Sequence, residues 1–286
     1  MKVKQMLPFS SDVTPKIGNI LPPVKHLYIQ GCNVNELLAR PCVAIVGSRK
    51  ASTYGTAITT TLAGELARAG VVIISGLALG VDSIAHKAAL DAGGLTLAVL
   101  PGSLCNIYPA NHQGLARRIV AQGGALVTEY PEGAVTYPSN FIARNRIISA
   151  LSDAVLVVEA AERSGSLSTA NFALEQGKEL LAVPGNVTSP TSAGTNNLIK
   201  TGAHVITCAE DVLHILGIAS EAGKHAPKGS TPAEQMLIDL LIAGVTDGAE
   251  LLARSKLGVS QFNQTLTMLE IRGHIRALGA NCWALQ

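Results

Sequence analysis

The sequence is poor in the residues that would tie it to several large classes of protein. Aromatics make up 3% of its 286 residues and charged side chains 15%, with one Trp and a formal net charge of +2. A charge this close to balance excludes a surface that coats duplex DNA by bulk electrostatics, so any nucleic-acid surface must be a local cluster of cations. The cysteines, Cys32, Cys42, Cys105, Cys208 and Cys282, are odd in number and form no CxxC pair. That argues against a disulfide framework or a zinc site and for reduced thiols in the cytoplasm. His204 and Cys208 have no further ligand types clustered around them, so no metal is expected. No apolar run reaches the ~20 residues that cross a bilayer. The opening MKVKQMLPFSSDV has no apolar stretch after its basic residues, so neither a signal peptide nor a membrane partner is expected. There is no GxxxxGKS or GxxxxGKT phosphate loop, and Gly76-Leu77-Ala78-Leu79-Gly80 misses the GxGxxG spacing. No acidic residue follows the second core strand to take a ribose hydroxyl. Neither an NTPase nor a bound organic cofactor is expected.

What is present is apolar and small. Apolar residues make up 48% of the chain, with 28 Gly, enough to bury a sizeable core with close helix–sheet packing. Residues 1–40 read as an extended, Pro-punctuated lead-in with one short strand at Leu27–Gln30. From residue 41 to 218, β-branched runs alternate with Ala-rich helical stretches. The runs are Cys42–Val46, Val71–Ser75, Thr96–Leu100, Ala125–Thr128, Ala154–Glu159, Leu180–Val183 and His204–Thr207. Most are apolar throughout, as strands covered on both faces should be. Helices are expected at Tyr54–Ala69, Asp82–Ala92, Gln113–Gln122, Phe141–Leu151, Leu167–Gln176 and Asn196–Thr201. The alternation predicts an α/β domain, a doubly wound and mostly parallel Rossmann-like sheet. A polar linker is expected at 219–230, then a small domain at 231–286. Thr231-Pro232 opens its first helix. Helices at Ala233–Ala243, Asp247–Ser255 and Ser260–Arg272, then extended pieces at His274–Ala277 and Cys282–Leu285, predict a winged helix.

Ligands of an open parallel sheet bind at the carboxyl ends of its strands. Small residues recur there: Gly47-Ser48-Arg49, Ser75-Gly76, Pro101-Gly102-Ser103, Ser164-Gly165-Ser166 and Pro184-Gly185. They let a backbone approach closely and expose N–H donors suited to phosphate oxygens. The segment Phe141–Ile148 (FIARNRII) sets Arg144, Asn145 and Arg146 on a mostly apolar helix. Two roles are open to it. One is a structural Arg pairing Asp153 or Glu159. The other is phosphate neutralisation, with bases stacking near Phe141. Asp82 reads as the acid at a helix start, with His86 one turn on as a satisfied neighbour.

With these residues in view, the chain resembles the DNA processing protein A family (DprA, also called Smf). The matching segments run in order through PVKHLYIQG from Pro23, VAIVGSR from Val43, Tyr54-Gly55, SGLALGVDSIAH from Ser75, and Tyr108-Pro109 with Asn111. They continue through Glu129-Tyr130-Pro131, FIARNRIISALS from Phe141, SGSLSTA from Ser164, AVPG from Ala182 and GTNNLIKTGA from Gly194. The resemblance implies a protein that binds single-stranded DNA, protects incoming strands and loads the RecA recombinase in natural transformation, acting as a homodimer rather than as an enzyme. It also implies site roles. Gly47, Ser48 and Arg49 would hold phosphate, Arg144 and Asn145 would line the same pocket, and Phe141 would lie near a base. Gly165, Ser166 and Thr169 would offer donors, and Lys178 stands where the family often has Arg. The roughly 40 residues before Cys42 are fewer than the helical domain resembling a sterile alpha motif that many members carry.

Two rivals come from other classes. Nucleotide-binding or nucleotide-hydrolysing phosphoribohydrolases of the lysine-decarboxylase-like group carry a PGGxGTxxE loop ending in a catalytic Glu. The corresponding stretch here, Ser164 to Asn171, has no Glu before Glu175. A duplex-reading regulator would use Ser260–Arg272 as its recognition helix, with Gln261, Asn263 and Gln264 as base readers and Arg272 alone as a cation. The stretch Leu198–Leu216 is the expected homodimer face.

Overall fold

The computed structural model describes residues 5–8, 14–18, 20–218, 229–279 and 281–285. The chain divides into two compact units, Met1–Ala219 and Ser220–Gln286. Of the expected linker, residues 219–228 lie outside the described residues.

In chain order the first unit runs β1 (Gln5–Pro8), α1 (Thr14–Ile17), β2 (His26–Gly31), α2 (Val34–Leu38), β3 (Cys42–Val46), α3 (Thr53–Arg68), β4 (Val72–Ser75), α4 (Val81–Asp91) and β5 (Thr96–Val99). It continues α5 (Gln113–Ala121), β6 (Ala125–Thr128), α6 (Pro138–Leu151), β7 (Ala154–Val157), α7 (Ser166–Glu175), β8 (Glu179–Ala182), α8 (Ala193–Lys200), β9 (His204–Val205) and α9 (Ala209–Ile215). The sheet has nine strands in the order β1-β2-β6-β5-β4-β3-β7-β8-β9. From β6 to β9 every pairing is parallel, while β1 and β2 join antiparallel at one edge. This is the expected α/β, doubly wound fold. The chain winds outward from β3 to β6 on one side and then restarts at β7 on the other. The carboxyl ends of β3 and β7 therefore flank the switch point where such folds bind ligands.

Successive side chains of a strand point to opposite faces, and the two cores divide accordingly. Ala44, Val46, Val155 and Val157 pack with Ile147, Ile148 and Leu151 of α6 and Ala170 and Ala173 of α7. Val43, Ile45, Ile73 and Leu156 pack on the other face with Leu62 and Leu66 of α3, Val81 and Ala85 of α4, and Val212 and Leu213 of α9.

The described residues of 1–40 are not only the extended lead-in expected from the prolines. They supply two strands and two short helices to the unit. Leu27 and Ile29 alternate into the core beside Ile20, Val24, Val34 and Leu37. Prolines that precede a strand do not keep its apolar alternation out of the sheet, and β2 lies between β1 and β6. Helix α9 was also not expected. It starts at Ala209, and the carboxylate of Asp211 in its first turn accepts from the Thr207 and Cys208 N–H groups.

The second unit holds α10 (Pro232–Ile242), α11 (Gly248–Ser255), α12 (Val259–Ile271) and the hairpin β10 (Ile275–Gly279) with β11 (Cys282–Leu285). Thr231 and Glu234 form a capping box around Pro232, and the Asp247 carboxylate caps α11. Leu237, Ile238, Leu251, Phe262, Leu266, Leu269 and Ile275 form its core. Three helices and a terminal hairpin make the expected winged helix.

Candidate functional site

A crevice of about 750 Å³ opens at the carboxyl ends of β3, β4 and β7. The loop from Gly47 to Lys50 forms one wall. The Ser48 hydroxyl donates to the Lys50 carbonyl at 3.0 Å and accepts the Lys50 N–H at 3.1 Å, so it shapes this loop. Arg49 and Lys50 are exposed cations. The opposite wall is α6, which presents Pro138, Phe141, Ile142, Asn145 and Ile148 at helical spacing. The Arg49 guanidinium lies 5.3 Å from the centroid of the Phe141 ring, a cation–π contact at the mouth. Tyr108 meets the same ring edge-on, with centroids 5.1 Å apart, and is itself 55% exposed.

Ser164, Gly165, Ser166 and Thr169 close the crevice at the start of α7. The N-cap residue, Gly165, has no side chain to cap this helix, and the Ser164 hydroxyl accepts the Ser166 N–H at 3.3 Å, so the amino end still adds partial positive charge to the site. The Asn145 amide donates to Ser168 Oγ at 2.9 Å and ties α6 to that helix end.

The floor is a different environment. Arg144 is 3% exposed. Its Nη1 donates to the carbonyl of Gly76 at 2.6 Å and to that of Val99, and its Nε donates to Asn145 Oδ1. Gly76 leaves the room: a Cβ there would lie 2.4 Å from the guanidinium. Asp82 sits opposite, accepting from the N–H groups of Gly76 and Ala78. Burial lowers the Arg144 pKa to about 10, with Asp82 opposing that shift. Burial raises the Asp82 pKa, opposed first by Arg144 and then by the two N–H donors. Arg144 keeps its charge at neutral pH and spends its hydrogen bonds on strand ends.

Gly47, Ser48, Arg49, Phe141, Arg144, Asn145, Gly165, Ser166 and Thr169 all line this one crevice. Lys178 is not brought to it. It stands just before β8, beside Lys16, Asp153 and Cys42, at the amino ends of the strands. A side chain that precedes a parallel strand is carried to the edge opposite the ligand crevice. Arg146 pairs neither Asp153 nor Glu159. It forms a two-pronged salt bridge to Glu129, at 2.9 and 2.7 Å, and donates to the Pro22 carbonyl. Asp153 instead binds Lys16 at 2.7 Å. His86 is fully buried, with Nδ1 2.6 Å from Thr96 Oγ1 and Nε2 unpartnered. Lys50, Tyr108 and Ile142 also line the crevice without having been singled out for it. The signal for Lys50 was its place next to Arg49.

The profile of the DNA recombination-mediator protein A family matches residues 5–217, and that of the DprA winged helix domain matches residues 221–281. The chain belongs to the DNA recombination-mediator protein A (DprA) family. Within that family it is 48% identical to the protein Smf of Escherichia coli over 66% of this chain and 50% of that one. It is 39% identical to a DNA processing protein DprA of Mycobacterium tuberculosis over 82% of this chain and 62% of that one. The chain thus spans about half to three-fifths of the length of these curated relatives. Among solved structures it superposes on the DNA processing protein A of Streptococcus pneumoniae with a TM-score of 0.67 and 37% identity, over 73% of each chain. A DNA processing protein A from Helicobacter pylori, studied for its single-stranded DNA binding mode, superposes with a TM-score of 0.65 and 36% identity, over 74% of this chain and 94% of that one. Among the described residues no helix is long and apolar enough to cross a membrane.

Proposed function

We propose that this chain binds single-stranded DNA in the crevice and mediates recombination by handing the strand to RecA, acting in the cytoplasm as a homodimer. The observation that carries the reading is the pairing of exposed Arg49 with Phe141 at the mouth of the crevice that the start of α7 also lines. A cation and a helix amino end neutralise backbone phosphate, and aromatic rings accept any base. Gly47 and Ser48 bring backbone close to the strand, while Gly165, Ser166 and Thr169 supply donors on the far wall.

The crevice is poorly equipped for hydrolysis. The carboxylate that lines it, Asp82, is buried and held by two N–H groups beside Arg144. Glu175 ends α7, at the opposite end of that helix from the crevice. A general acid or base needs a carboxyl within reach of the reacting bond.

Fluorescence anisotropy with labelled oligo-dT across a salt series tests this. Binding is expected to favour single strands over duplex and to fall with salt. Arg49→Ala is expected to flatten the log–log slope by ~0.7, one single-strand phosphate contact. A wild type indifferent to oligo-dT, or an unchanged Arg49→Ala, would remove the crevice from the reading. Release of free base from a nucleotide would favour the phosphoribohydrolase alternative.

A further inference from the structure

Glu159 follows β7 and is 2% exposed, yet it makes no salt bridge among the described residues. Its Oε2 accepts the Ser52 N–H at 2.9 Å. Its Oε1 accepts the Ser52 hydroxyl at 2.6 Å and the Thr191 hydroxyl at 3.2 Å. The Ser52 hydroxyl in turn accepts the Gly55 N–H at 3.0 Å and caps α3. Gly55 makes the space, since a Cβ there would lie 2.0 Å from Glu159 Oε2. Gly55 lies within α3, so room for the carboxylate is what the position requires. Tyr54 adds a second tie, its hydroxyl donating to the Pro184 carbonyl at 2.8 Å.

A buried carboxylate is tolerated only while its hydrogen bonds are made. Two of the donors to Glu159 come from Ser52, at the end of the loop that carries Arg49. The start of that loop is held as well, by β3 and by the Val81 N–H donating to the Ser48 carbonyl at 3.1 Å. Arg49 thus stands on a short span between two fixed points. We infer that Glu159 is a positioning residue for strand binding: by fixing Ser52 it sets the Arg49 guanidinium over Phe141. This rests on the single-strand reading of the crevice. It gives the Tyr54-Gly55 pair, which touches no part of that crevice, a role at a distance.

The test uses the full chain. Glu159→Gln keeps the shape but turns one acceptor oxygen into an amide donor facing Ser52. Oligo-dT affinity, its salt slope and amide hydrogen exchange over residues 48–56 are measured for wild type, Glu159→Gln, Ser52→Ala, Ser52→Thr, Arg49→Ala and the Arg49→Ala/Glu159→Gln double variant. Glu159→Gln is expected to weaken binding roughly tenfold and, in the Arg49→Ala background, to change it less than about twofold. Exchange over 48–56 rises in Glu159→Gln and Ser52→Ala and returns to the wild-type level in Ser52→Thr, which keeps the hydroxyl. A folded Glu159→Gln protein with wild-type affinity, or losses from Glu159 and Arg49 that multiply independently, overturns the inference. So does unchanged exchange over 48–56. If Glu159→Gln does not fold, Ser52→Ala against Ser52→Thr makes the same comparison. A wild type that ignores oligo-dT defeats the single-strand reading itself, and the exchange arm then decides whether Glu159 holds the loop.

Discussion

In the first unit Arg49 stands exposed over Phe141 at the mouth of a crevice. In the second unit Arg272, the cation that ends the expected recognition helix Ser260–Arg272, bonds both oxygens of buried Glu234 at 3.0 and 2.9 Å and the Ser230 hydroxyl at 2.7 Å. Helix α12 itself contains no Lys or Arg, and its exposed polar residues Gln261, Asn263 and Gln264 are neutral. Arg254 pairs with Glu250 on α11. An arginine is a binding group only where its charge is not already used by the protein. That distinction also separates neighbours inside the first unit. Arg49 is at the rim, Arg144 in the floor and Arg146 in a buried salt bridge, although all three are the same residue type within or near family segments.

The comparison can be broken most directly at Arg144. Replacing it with Ala strands the Gly76 and Val99 carbonyls and Asp82, and is expected to cost on the order of 3 kcal/mol of stability in urea unfolding. An Arg144→Ala protein as stable as wild type would return this residue to the binding surface. Arg49→Ala should do the reverse, leaving the unfolding midpoint unmoved while oligo-dT affinity drops about tenfold at low salt.

Acid gives a third lever, on the first unit. Burial lowers the His86 pKa to about 3, with the Arg144 charge and His112 adding to the effect. A histidine depressed in the folded state contributes stability that is complete above its unfolded value near 6.5 and is lost as pH falls toward 3. The loss at pH 5.5 is about 1.4 kcal/mol, and urea titrations at pH 7.5 and 5.5 should show it for wild type but not for His86→Gln. Arg272→Ala is expected to cost the second unit about 1 kcal/mol by leaving Glu234 without its cation, with oligo-dT binding unchanged. The smallest effect belongs to α12: replacing Gln261, Asn263 and Gln264 with Ala together should leave oligo-dT affinity within about twofold, since neutral side chains release no counterions. A larger loss would show that the winged helix shares the strand.

Most of the parallel strands were legible because they are short apolar runs buried on both faces, exposed β9 being the exception, and the crevice because small residues and Arg49 follow the strand ends. The capping signal at Thr231-Pro232 located the second unit in the same way. The strand β2, second from the edge of the sheet, was only half legible, since Pro22 and Pro23 concealed a core segment that pairs with β6, far along the chain. Lys178 was misplaced because its likeness to a family position was followed instead of its place before β8.

By itself the sequence determined the winding of the sheet, the winged helix and the rim where a ligand belongs, all of which follow from local periodicity and turn chemistry. Only the tertiary structure decided which arginines remain available. That depends on partners such as Gly76, Val99, Glu129 and Glu234, which lie far from those arginines in the chain and meet them through packing. It also decided that Glu159 would meet Ser52. Nothing local links a carboxylate after β7 to the start of α3 until β3 and β7 lie side by side.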